Sequence, residues 1–123
     1  MQTRTSLPDS VVINVREFGE RLLTRDQGER ARKRLSEAMR EHELVVLRFD
    51  DSVVMTPSFA DEMVGRLLLS IGPLAFKAHF KLEAENETLR RLVNAVLAHR
   101  RKDYDRRGGA HPGSRSTPPA QPK

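Results

Sequence analysis

Hydrophobic positions switch between two spacings along the chain, and the switches divide it into elements. Residues 11–15 are β-branched apart from Asn14, a strand pattern. Residues 16–25 mix Phe18, Leu22 and Leu23 with Gly19 and read as a connector with room for one helical turn. Ala31, Leu35, Ala38, Met39 and His42 then recur at helical spacing, predicting a helix that ends near His42. Its expected N-cap is Asp26, with Glu29 three residues on completing a capping pair. Residues 44–49 (Leu-Val-Val-Leu-Arg-Phe) are nearly continuous in apolar side chains, the pattern of a central parallel strand buried on both faces.

After the loop Asp50-Asp51-Ser52 and a short apolar piece at 53–55, a second helix is predicted. Ser58 and Asp61 have the Ser-x-x-Asp spacing of an N-cap pair, beside Pro57 and an acidic first turn. Phe59, Met63, Leu67 and Ile71 form its buried stripe, and Gly72-Pro73 ends it. Residues 74–82 alternate strictly: Leu74, Phe76, Ala78, Phe80 and Leu82 on one side, Ala75, Lys77, His79 and Lys81 on the other. That predicts a strand with one buried and one wet face. Asn86 caps a last helix whose stripe is Leu89, Leu92, Val93, Val96 and Leu97, fraying through Arg100–Tyr104. Strands alternating with helices predict an α/β domain over residues 9–104, a mixed, mostly parallel sheet of about four strands with helices packed on it. Residues 1–8 read as a flexible lead-in. Residues 105–123, with three Gly, four Pro and almost no apolar side chains, read as a disordered basic tail.

Composition narrows the function classes. The 123 residues make one domain. No cysteine is present, which removes disulfides, thiolate metal sites and cysteine nucleophiles. The apolar runs are far shorter than the roughly 20 residues of a membrane helix, and residues 1–10 have no apolar signal core, so a cytoplasmic protein is expected. The net charge of +5 tempts one towards nucleic acid. From Arg100 onward, however, there are seven basic and two acidic residues, so the whole excess lies there and residues 1–99 are neutral. A nucleic-acid surface would carry its excess on the folded body, and with no Trp and 5% aromatics a stacking platform is not expected.

Candidate chemistry concentrates around residues 50–62. Asp50, Asp51, Asp61 and Glu62 could serve a metal, but Asp61 and Glu62 are neighbours about 100° apart on a helix and do not face each other, so helix capping explains them more simply. The histidines (His42, His79, His99, His111) have no ligand spacing, and no phosphate-binding glycine loop or nucleophile elbow occurs. No enzyme, metal or cofactor is expected. Ser58 is the exception, because a hydroxyl at a helix start can accept a phosphate where negative charge is stabilised.

Four stretches carry a likeness: residues 13–19 (Ile-Asn-Val-Arg-Glu-Phe-Gly), 25–29 (Arg-Asp-Gln-Gly-Glu), 45–49 (Val-Val-Leu-Arg-Phe) and 56–62 (Thr-Pro-Ser-Phe-Ala-Asp-Glu). With these the chain resembles the STAS-like family of short bacterial domains of unknown function, over about residues 9–100. The wider STAS superfamily includes anti-sigma factor antagonists, small α/β domains phosphorylated by a kinase-like ATPase on a serine that opens the helix after the central strand. Ser58 falls at that place. The antagonists usually end the central strand with an acid and follow their serine with Gly; this chain has Arg48 and Phe59.

Together these readings predict a non-enzymatic regulatory or protein-interaction module of bacterial signalling. Its partner would be a protein, a histidine-kinase-like ATPase by the resemblance. Ser58 is the phosphorylation candidate, and Asp50, Asp51, Thr56, Pro57, Ser58, Phe59, Asp61, Glu62 and Arg25 form the expected partner surface. A monomer or weak homodimer is expected, with no membrane or nucleic-acid partner. The alternative is a nucleic-acid or nucleotide contact module using the basic tail and the Lys77/His79/Lys81 face.

Overall fold

Three parallel strands carry the fold in the computed structural model, which describes residues 9–107. Strand β1 (Ser10–Asn14) and β5 (Phe80–Ala84) flank β3 (Leu44–Phe49) in the order β1-β3-β5. Val12 lies opposite Val46, and Leu47 opposite both Ile13 and Leu82. A separate two-residue pair, β2 (Arg21–Leu22) with β4 (Val54–Met55), is also parallel. Helix α1 (Arg25–Glu41) connects β1 to β3. The return to β5 runs through α2 (Pro57–Ala60), a π-helical stretch at Asp61–Gly65, α3 (Arg66–Ile71) and α4 (Pro73–His79). Helix α5 (Glu87–Arg106) closes the chain. The α/β class and parallel sheet agree with the pattern reading; the main sheet has three strands, and the fourth and fifth are the short pair.

The strand order explains a correction. β1, β3 and β5 step in one direction across the sheet, so crossovers of a single hand put every helix on the same face. β3 is therefore central but buried on one face only: Val45, Leu47 and Phe49 are inside, whereas Arg48 on the other face is exposed. Ile13, Leu35, Phe59, Met63, Val64, Phe80 and Val93 complete the core between sheet and helices. No polar or charged residue is buried among the described residues.

Local chemistry moved three other boundaries. The cap of α1 is Thr24, not Asp26. Thr24 Oγ1 accepts from Gln27 N at 3.2 Å, and Gln27 Oε1 accepts from Thr24 N at 3.0 Å, a capping box that leaves Asp26 in the acid-favouring first turn. Val15 is buried but opens a 3-10 turn at Val15–Phe18 rather than ending β1. The alternating stretch 74–82 is mostly helix. Gly72, at φ +92°, stops α3, and Pro73 takes the first position of α4, where its missing N–H costs nothing. Leu74 is 87% exposed, which a buried strand face would not allow. Phe76 and Phe80, one turn apart, stack at 5.0 Å.

That change also breaks up the Lys77/His79/Lys81 face. Lys77 and His79 ride on α4, with His79 Nδ1 3.3 Å from the Glu43 carbonyl. Lys81 sits on β5, 3.7 Å from Glu83. Asn86 caps α5 as expected. The helix continues to Arg106, and the rest of the expected tail and the lead-in lie outside the described residues. No described helix is long and apolar enough to cross a membrane.

Candidate functional site

The second crossover begins on a cap of its own. Thr56 is extended (φ −94°, ψ 159°), and its hydroxyl accepts from Phe59 N at 3.2 Å while donating to the Leu23 carbonyl at 2.9 Å. Pro57 holds the first helical position. This corrects the expectation that Ser58 is the N-cap. A residue before proline is disfavoured in the helical region and a proline fits the first turn, so Thr-Pro defines the cap two residues earlier than Ser-x-x-Asp suggests. Ser58 stands at the second helical position, half-buried, and its hydroxyl makes no hydrogen bond among the described residues.

One turn on, backbone angles stay helical through Asp61 (−62°, −43°) and Arg66 (−68°, −31°), so residues 57–71 form one continuous helix with a π stretch in the middle. The adjacent carboxylates of Asp61 and Glu62 point to different neighbours. Asp61 faces α5, taking Arg100 Nε at 2.7 Å and Nη2 at 2.8 Å in a two-pronged pair. Glu62 faces α1, taking Arg32 Nη1 at 2.9 Å, and the same nitrogen also donates to the Glu62 carbonyl at 2.8 Å. Arg25 Nη1 spans the two, 3.2 Å from Asp61 and 3.1 Å from Glu62, and Arg66 stands 3.6 Å from Glu62. Three arginines distant in sequence, with Arg66 one turn on from Glu62, thus converge on two neighbouring acids.

The charges reinforce one another. The Arg100 fork holds the Asp61 carboxyl below its usual range against the opposing effect of burial, with Arg25 adding to it. Burial pushes the Glu62 carboxyl up, but donation from Arg32 and Arg25 outweighs it and the net direction is down. Both acids in turn raise Arg25, with Asp61 the larger influence, and Asp61 raises Arg100.

Two glycines make the cluster possible. A Cβ on Gly28 would lie 2.6 Å from Glu62 Cβ and 2.8 Å from the Phe59 carbonyl oxygen, so α1 can cross the second helix this closely only there. A Cβ on Gly65 would lie 2.4 Å from Asp61 Oδ1 and 3.0 Å from Arg100 Cγ, in the space the ion pair occupies.

Beside the cluster is an open cleft of about 470 Å³. Arg25, Pro57, Ser58 and Asp61 line one side; Leu92, Ala95, Val96, His99 and Arg100 of α5 line the other. A cavity of about 500 Å³ at the far end of α5, around Gly72, Leu74 and Tyr104, holds none of the predicted site residues.

Of the residues expected to act together, Arg25, Pro57, Ser58 and Asp61 share this cleft, and Glu62 joins them through Arg25. Thr56 supports it from below as the cap. Phe59 is wholly buried and packs the core, so it offers no contact surface. Asp50 and Asp51 stay outside the cleft. Asp50 folds its own turn, accepting from Ser52 N at 2.8 Å and Oγ at 2.7 Å, which holds its carboxyl low; Asp51 accepts from Asn86 Nδ2 at 2.7 Å. Arg32, Arg66, His99 and Arg100 were not expected at the site. Arg100 was legible: it follows Leu92 and Val96 at four-residue steps, on the buried stripe of α5.

No group of three or more histidine, aspartate or glutamate side chains among the described residues could hold a metal ion. The family described as a STAS-like domain of unknown function matches residues 27–90, which includes Pro57, Ser58, the two acids and the two glycines but not Arg25. The chain belongs to this STAS-like family. Comparison with curated proteins and with solved structures returned no match. Within the STAS-like domain the matched stretch ends at Arg90, so Leu92, Val96, His99 and Arg100 close the cleft from outside it.

Proposed function

We propose that this STAS-like domain is a non-enzymatic regulatory module that docks a protein partner over the cleft between Ser58 and α5, with phosphorylation of Ser58 as its switch. One observation carries the reading: Thr56 does the capping, so the Ser58 hydroxyl is left uncommitted at the rim of a cleft lined by Arg25 and Arg100. A serine needed for structure makes a poor switch, because modifying it unfolds what it supports. Ser58 has no such duty. A phosphate there would add nearly two negative charges beside guanidinium groups and the start of a continuous helix, where charge-assisted hydrogen bonds are strong. The neighbouring acids point the same way, since Asp61 and Glu62 serve arginines rather than a reaction. The resemblance to anti-sigma factor antagonists suggests a histidine-kinase-like ATPase as the partner.

The test is capture from extracts of the native cell on immobilised wild-type, Ser58→Ala and Ser58→Asp chains. A partner held by wild type and Ser58→Ala but released by Ser58→Asp is the expected result. Equal retention on all three would remove Ser58 from the function.

A further inference from the structure

The helices cover one face of the sheet, and among the described residues no strand pairs with the outer edge of β1. We propose that β1 is a self-pairing edge: two copies of the chain join their β1 strands antiparallel about a two-fold axis at Val12, making one continuous six-stranded sheet.

The backbone supplies the first argument. Asp9 C=O accepts from Leu44 N at 3.1 Å, and Ser10 lies opposite Leu44. In a parallel ladder, alternate residues turn their N–H and C=O to the neighbour, so Asp9, Val11 and Ile13 face β3. Ser10, Val12 and Asn14 therefore direct theirs outward, and no described strand receives them. An antiparallel copy centred on Val12 pairs Val12 with Val12, and Ser10 with Asn14. All three outward residues then fall in hydrogen-bonded pairs, closing about four bonds outright and two more shared on the Asn14 carbonyl, which already accepts the first bond of the 3-10 turn. No other antiparallel centring uses all three.

Side chains supply the second. The two edges of the sheet differ. β5 carries Lys81 and Glu83, the charged residues that discourage edge pairing, whereas β1 is Ser-Val-Val-Ile-Asn with no charge and with Val12 51% exposed. Charges lie only at the ends of β1, negative at Asp9 and positive at Arg16, with side chains 45% and 51% exposed; within one chain Asp9 meets His42 at 3.0 Å and Arg16 meets Glu20 at 2.8 Å. Antiparallel pairing brings Asp9 of each copy towards Arg16 of the other; parallel pairing would align like charges. The interface is isologous, so it closes at two copies.

Sedimentation velocity of the full chain tests this. Wild type is expected to be a dimer that dissociates on dilution. Val12→Lys and Val12→Glu, each placing like charges across the axis, are expected to be monomers that melt cooperatively and close to wild type diluted to its monomer, Val12 being half exposed. Mixing the two variants is expected to restore a dimer, because Lys then faces Glu. Should either variant fail to melt cooperatively, Val12→Thr against Val12→Asp makes the same comparison, Thr retaining the dimer and Asp losing it. Wild type that stays monomeric at every concentration, as it would with the edge covered by residues 1–8 or reserved for a foreign peptide, overturns the proposal. So does a Val12→Lys chain that remains dimeric, or a Lys/Glu mixture that remains monomeric.

Discussion

Asp61 and Arg100 lie 39 residues apart and meet in a two-pronged ion pair at 2.7 and 2.8 Å, over a glycine that leaves room for nothing else. The pair ties the start of the second crossover to the last helix and joins the two sides of the cleft. Both side chains are mostly buried, 15% and 17% exposed, so neither charge can readily recover water if the other is lost. Arg100→Gln should therefore cost about 1–3 kcal/mol in chemical denaturation. Arg25, 56% exposed, makes the same kind of contact from the rim, and Arg25→Gln should cost about 1 kcal/mol or less.

The same pair sets an acid limit. Asp61 and Glu62 are held below their ordinary values of 3.8 and 4.5 in the folded chain. Over that range the unfolded chain binds more protons, so stability rises with pH. Their contribution is complete above the ordinary values and is lost as pH falls through and below them. Urea midpoints measured from neutral to acid pH should drop below pH 4.5, and the drop should be shallower in Asp61→Asn.

Gly65→Ala would set a methyl group 2.4 Å from Asp61 Oδ1. Overpacking of this kind costs roughly 1–3 kcal/mol. Removing the obstruction should relieve it, so Gly65→Ala should cost less in an Asp61→Ala background than in wild type. A double-mutant cycle reads the coupling; strict additivity would mean the helix yields elsewhere.

Much of this was legible in residue order, and the failures have physical causes. The parallel β1-β3 pair, α1, α5 with its Asn86 cap and the helix stop at Gly72 all follow from spacing and punctuation. The stretch 74–82 misled because apolar residues at 76 and 80 satisfy a period of two and a step of four alike, while Pro73 at a helix start decides between them. The caps of α1 and α2 lie two residues before the expected ones: Thr24-x-x-Gln27 and Thr56-Pro57 are stronger signals than Asp26 and Ser58. The Asp61–Arg100 pair was hidden because its two halves are joined only by tertiary packing: spacing puts Arg100 on the stripe of α5 but does not name the acid it meets.

Thr56 and Ser58 separate structure from function at the same helix start. Thr56→Ala removes the bond to Phe59 N and should cost about 0.5–2 kcal/mol. Ser58→Ala removes no hydrogen bond and should stay within about 0.5 kcal/mol of wild type in the same denaturation experiment. Equal losses would return Ser58 to a structural role.

Mapping the phosphorylation state of the chain recovered from its native cells tests the central claim most directly. Mass spectrometry should find phosphate on Ser58, whose hydroxyl is uncommitted in the cleft, and none on Thr56, whose hydroxyl is bound at both ends. A chain that carries no phosphate at Ser58 under any growth condition, or carries it on Thr56 instead, would contradict the account.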